Sequence, residues 1–70
     1  MFIVIDKGRI TKFKEKLDWC KECFGPGVEV VGPTQASLYR WSYEFVGFGL
    51  RQIFFRDKAD YVFYTLKYST

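Results

Sequence analysis

The chain predicts an α+β fold: a small, mainly antiparallel sheet with two helices on one face, in the order βαβββα. Three observations carry this. Ile10, Phe13, Leu17, Cys20 and Phe24 recur at alternating steps of three and four, one stripe of a helix that must be covered by a partner layer. Tyr39, Trp41, Tyr43 and Phe45 alternate with Arg40, Ser42 and Glu44, the period of a strand with one buried face. With 70 residues, positions 1–70 make one domain, near the lower size limit for a core without staples.

Taken in order, Phe2 to Ile5 is a run of β-formers fit for a buried first strand, and Asp6-Lys7-Gly8-Arg9 turns into the helix. The helix is predicted over Thr11–Phe24, with Thr11 as its cap and Lys14 where a capping box would place glutamate. Gly25-Pro26-Gly27 ends it, since glycine takes the left-handed cap and proline cannot continue a helix. Val28 to Val31 is the second strand, broken by Gly32-Pro33-Thr34-Gln35, and the third is predicted from Ala36 to Val46. Gly47-Phe48-Gly49 connects it as a hairpin to Leu50–Phe55.

Asp57 is placed as the cap of a last helix, with Asp60 in its first turn where the macrodipole favours a carboxylate. As a helix this stretch has Ala59, Val62, Phe63 and Leu66 as its core stripe and gathers Tyr61, Tyr64 and Tyr68 on the opposite side; as a strand, residues 61–68 alternate almost as well. The expected packing sets both helices on the sheet face that carries Tyr39, Trp41, Tyr43 and Phe45.

Composition narrows the function. Eight Phe, five Tyr and two Trp are more rings than so small a chain buries, so some are expected at a partner surface. No apolar run reaches the roughly 18 residues of a membrane span or the pattern of a signal peptide, so a cytoplasmic protein is expected. A net charge of +3 permits nucleic acid without requiring it. There is no histidine for acid–base work, and a metal site within one chain would need carboxylates beside the two cysteines.

Trp19-Cys20-Lys21-Glu22-Cys23 spells a thioredoxin-type redox motif, but at the wrong end of its helix. A redox thiolate is stabilised by the positive N-terminal pole, and these cysteines fall in the last turns. Cys20 is therefore expected in the core and Cys23 at its margin, both reduced and quiet. No nucleophile-elbow, phosphate-loop or dinucleotide-binding spelling occurs, so neither enzyme activity nor a cofactor is expected.

Gly47-Phe48-Gly49 with Leu50–Phe55, followed by Arg56-Asp57-Lys58-Ala59-Asp60, resembles the third strand and following helix of RNA-recognition-motif domains, a ferredoxin-like fold in which aromatics stack on RNA bases. Leu50 and Ile53 stand where those aromatics would be. Asp60-Tyr61-Val62-Phe63-Tyr64-Thr65-Leu66-Lys67-Tyr68, preceded by Phe54-Phe55, resembles the C-terminal D-A-x-M-F-x-L-R-W pattern of small tailed-bacteriophage proteins, and Trp19-Cys20 with Phe24-Gly25 is similar to the W-C-x-x-x-F-G of their helix. The resemblance implies a phage accessory protein acting inside the host cell.

The expected function is binding without catalysis. Trp19, Tyr61, Tyr64 and Tyr68 are the candidate contacts to a host protein or to a second copy in a homodimer. The alternative is nucleic acid or a phosphorylated nucleotide held at the basic start of the first helix by Lys7, Arg9, Lys12, Lys14 and Lys16. Neither reading calls for a membrane or a metal.

Overall fold

A carboxylate at the end of the first strand sets where the chain turns. In the computed structural model, which describes residues 1–68, strand β1 spans Phe2–Asp6 and the Asp6 carboxylate accepts the Gly8 N–H at 2.9 Å. Arg51 reaches across to donate to the Gly8 carbonyl. The turn is thus pinned from both sides, and helix α1 (Ile10–Phe24) leaves from Arg9 rather than from Thr11. Arg9 is the extended cap residue, with no side-chain cap bond among the described residues, and Thr11 lies inside the helix. The predicted stripe holds at Phe13, Leu17, Cys20 and Phe24, all buried, while Ile10, in the first turn, is exposed.

The remaining elements are β2 (Val28–Glu29), a one-turn helix α2 (Gly32–Ala36), β3 (Trp41–Gly47), β4 (Leu50–Phe55) and α3 (Lys58–Tyr68). The strands form one sheet in the order β1-β4-β3-β2. β1 and β3 each pair antiparallel with β4, and β2 pairs parallel with β3, so the sheet is mixed with a mainly antiparallel body. The α+β architecture expected of the sequence is therefore present, with α2 added to its order.

The third strand starts later than predicted. Residues 32–36 turn into α2 because Pro33 suits a first helical turn, Gln35 Oε1 accepts the Val31 N–H at 2.9 Å, and Glu44 Oε2 accepts the Gly32 N–H at 3.1 Å. Tyr39 consequently lies outside β3 and is exposed, not on the covered face. Trp41, Tyr43 and Phe45 do face α1: Phe13 meets Tyr43 and Phe45 edge-on at 6.4 and 5.6 Å.

Trp41 anchors the end of α1. Its indole N–H donates to the Gly25 carbonyl at 2.8 Å, and its ring lies so close to Gly27 that a Cβ there would stand 2.3 Å from Cζ2. Glycine at 27 is required by this approach. The main core joins Phe13, Leu17, Cys20 and Phe24 to Trp41, Ile53, Phe55 and Tyr64. On the other sheet face α2 helps close a small cluster of Val30, Ala36 and Phe54.

The last element is a helix, turned opposite to the expectation. Tyr64 is 3% exposed, whereas Val62, Phe63 and Leu66 are exposed at 41%, 51% and 69%. Two pairings set this rotation. Arg40 holds Asp60 in a fork, Nε to Oδ2 at 2.7 Å and Nη2 to Oδ1 at 3.1 Å, and Tyr61 stacks on Phe2 at 5.3 Å. The tyrosine rings then fill the deep space over Phe55, with Tyr64 at 5.3 Å from it. Large rings cover more area than the Ala59–Val62 side of the helix could.

Candidate functional site

The residues expected to contact a partner do not form one exposed patch. Trp19 is half-buried at the seam of α1 and α3, its ring 5.4 Å from Phe63, 5.5 Å from Tyr68, 5.7 Å from Phe24 and 6.1 Å from Tyr64. Tyr61 and Tyr68 are half-buried and Tyr64 belongs to the core. Burial pushes the Tyr64 hydroxyl well above its ordinary range and raises that of Tyr68. What α3 turns to solvent is the other stripe: Ala59, Val62, Phe63 and Leu66. Helix periodicity finds these residues, and only the rotation of the helix decides that they are surface.

Rings of α1 back that surface at Phe63. Phe63 leans on Trp19 and meets Phe24 edge-on at 6.1 Å. Arg40 ties the start of α3 to the end of α1, its guanidinium 5.4 Å from the Phe24 ring and Nη1 3.4 Å from the Phe24 carbonyl. The hydrogen bonds that Arg40 donates to Asp60 raise the guanidinium pKa above its already high ordinary value. Sequence reading missed this clamp, because its partners stand 20 positions apart and Arg40 falls outside the strand that seemed to contain it.

The basic start of α1 is divided by the fold. Lys16 donates to Asp6 Oδ2 at 2.7 Å with Nζ also 5.5 Å over the Tyr68 ring, so it is engaged. Lys7, Arg9, Lys12 and Lys14 are exposed, and Lys12 makes a loose surface pair with Glu15 at 3.7 Å. Asp6 itself receives Lys16, Arg51 and the Gly8 N–H. Burial raises the Asp6 carboxyl, but those hydrogen bonds outweigh it and hold the group below the ordinary carboxylate range. Asp6 and Arg51 share the helix-facing register with Val4 and Ile53; charges at such positions were the available signal for a buried pair.

Cys20 is fully buried, and burial together with the neighbouring Cys23 pushes its thiol up to about 12. Cys23 is exposed. Among the described residues, no three or more histidine, cysteine, aspartate or glutamate side chains cluster as metal ligands, and no helix is long and apolar enough to cross a membrane. No protein-family model, curated protein or solved structure matches this chain.

Proposed function

We propose that this chain is a non-enzymatic binding protein that docks on another protein through the outward stripe of α3, with Val62, Phe63 and Leu66 as its contacts and Trp19 at its margin. The observation that carries this is the exposure of three large apolar side chains along one helix face, with Phe63 packed on Trp19. Such a face suits an apolar groove in the partner, which would read the helix at i, i+1 and i+4. The further reading, a phage-encoded accessory protein acting on a host protein in the cytoplasm, is supported by the residue pattern of α3 and by Trp19-Cys20 with Phe24-Gly25.

The test is affinity capture from a bacterial lysate, comparing the native chain with Phe63→Asp/Leu66→Asp. A protein retained by the native chain and lost with that variant is expected. The same protein retained by both would remove α3 from the interface.

A second reading is favoured by the start of α1, where the described residues offer neither a side-chain cap nor an acidic group in the first turn, and Lys7, Arg9, Lys12 and Lys14 stand exposed around it. The free N–H groups and the dipole there attract an anion such as a nucleic-acid or nucleotide phosphate. Its test is salt-dependent binding to single strands, duplexes or nucleotides, abolished by Lys12→Glu/Lys14→Glu.

A further inference from the structure

The two edges of the sheet are built differently. β2, at one edge, is two residues long, carries Glu29 and is followed by Gly32-Pro33; each of these features discourages another strand from pairing there. β1, at the other edge, is five residues of FIVID without lysine or proline, and among the described residues no strand lies along its outer side. Its one charge, Asp6, is buried and already paired with Lys16 and Arg51. Ile3 and Ile5 lie on the sheet face opposite α1 and α3 and remain 45% and 57% exposed. Beside this edge runs a groove of about 380 Å³ between β1 and α3, lined by Ile3, Val4 and Ile5 on one side and by Tyr61 and Tyr68 on the other.

We propose that β1 pairs antiparallel with β1 of a second copy about a two-fold axis at Val4, joining two four-stranded sheets into one. The register follows from the strand itself. A shift of one residue sets outer-face residues against helix-face residues, which the pleat forbids. A shift of two toward the C-terminus brings Asp6 opposite Val4 and Lys7 opposite Ile3. Centring on Val4 uses all five residues and places Ile3 opposite Ile5 twice, an apolar ladder continuous across the axis. Phe2 then faces an Asp6 whose charge is already neutralised within its own chain, and Val4 of each copy enters the groove beside α3. Such pairing is isologous, as a closed dimer requires, and it satisfies backbone groups that the edge leaves to water. The surface used is distinct from the outward stripe of α3.

The experiment is sedimentation of the native chain over a range of concentrations, alongside Ile3→Lys/Ile5→Lys, which places like charges opposite each other at positions already half exposed. The 8.3 kDa chain is expected to shift to twice that mass with rising concentration. The double variant is expected to raise the dissociation constant at least about tenfold while keeping its circular dichroism, since like charges directly opposite are destabilising. Leu66→Ala is expected to leave the dimer unchanged, which separates this interface from the α3 surface. Amide exchange in the native chain gives a readout independent of any variant: protection at residues 3–5 is expected to rise with concentration. A native chain that stays monomeric to about millimolar, the weak end of specific association, would overturn the proposal. So would a dimer indifferent to the double variant, or β1 amides whose protection ignores concentration.

Discussion

Arg51 Nη2 donates to Asp6 Oδ1 at 3.0 Å, and both side chains are buried among aromatic neighbours. The guanidinium lies 5.1 Å from the Phe13 ring and also holds the Gly8 carbonyl, so the pair joins β1, β4 and the start of α1. Arg51 Nε is buried with no hydrogen-bond partner among the described residues, so the arginine depends on Asp6 for compensation of its charge. Asp6→Asn is expected to destabilise by about 3–5 kcal/mol, the cost of leaving one member of a buried pair uncompensated. Because the folded Asp6 carboxyl lies below its ordinary value near 3.8, the unfolded chain binds more protons in the interval between the two values. The stabilisation is therefore complete above the ordinary value and lost as pH falls through the lowered one. Urea denaturation of both proteins from neutral to acid pH checks this. Their difference should shrink only at the acid end, and a difference that is small at neutral pH or constant throughout would contradict it.

The approach of Trp41 to Gly27 makes a second expectation. An alanine Cβ at 27 would fall 2.3–2.6 Å from three atoms of an indole whose N–H is fixed on Gly25. The ring is fully buried and has nowhere to retreat. Gly27→Ala should cost about 1–3 kcal/mol through overpacking, whereas Gly8→Ala, whose Cβ meets Asp6 Oδ1 at an ordinary 3.6 Å, should cost less. Thermal unfolding ranks the two, and equal midpoints would contradict the contact.

The cysteines should behave as strangers despite their spacing. A thiol-reactive dye at neutral pH should label Cys23 within minutes and Cys20 only as the chain unfolds, because Cys20 is buried and its thiol is pushed up to about 12. Cys20→Ser should destabilise by roughly 1–3 kcal/mol by placing a hydroxyl in the core. Prompt labelling of Cys20 in the folded chain would revive a redox role for the pair.

Some of this architecture was legible in the residues and some was not. The α1 stripe was, because Phe13, Leu17, Cys20 and Phe24 have no competing face. The start of β3 was not: alternation runs smoothly back through Tyr39, yet bonds from Val31 to Gln35 and from Ser37 Oγ to the Thr34 carbonyl turn that stretch into a helical corner. In α3 two stripes of similar spacing compete. Hydropathy ranks Val62, Phe63 and Leu66 above three tyrosines, but ring area over Phe2 and Phe55, together with the Arg40–Asp60 fork, turned the tyrosines inward. Neither Asp6 with Arg51 nor Arg40 with Asp60 is local in sequence, so both pairs wait on the fold. Of the candidate residues, Lys7, Arg9, Lys12 and Lys14 lie exposed as a basic helix start suggests, whereas Tyr64 is in the core and Val62, Phe63 and Leu66 are the side chains that α3 turns outward.

The rotation of α3 underlies the proposed docking surface, and it is tested most directly by comparing the unfolding free energies of Tyr64→Ala and Leu66→Ala in urea. With Tyr64 in the core and Leu66 exposed at 69%, the first should lose about 3–5 kcal/mol and the second no more than about 0.5 kcal/mol. A Leu66→Ala loss as large as that of Tyr64→Ala, or a Tyr64→Ala change close to zero, would show that the helix faces the other way and that the outward stripe is core.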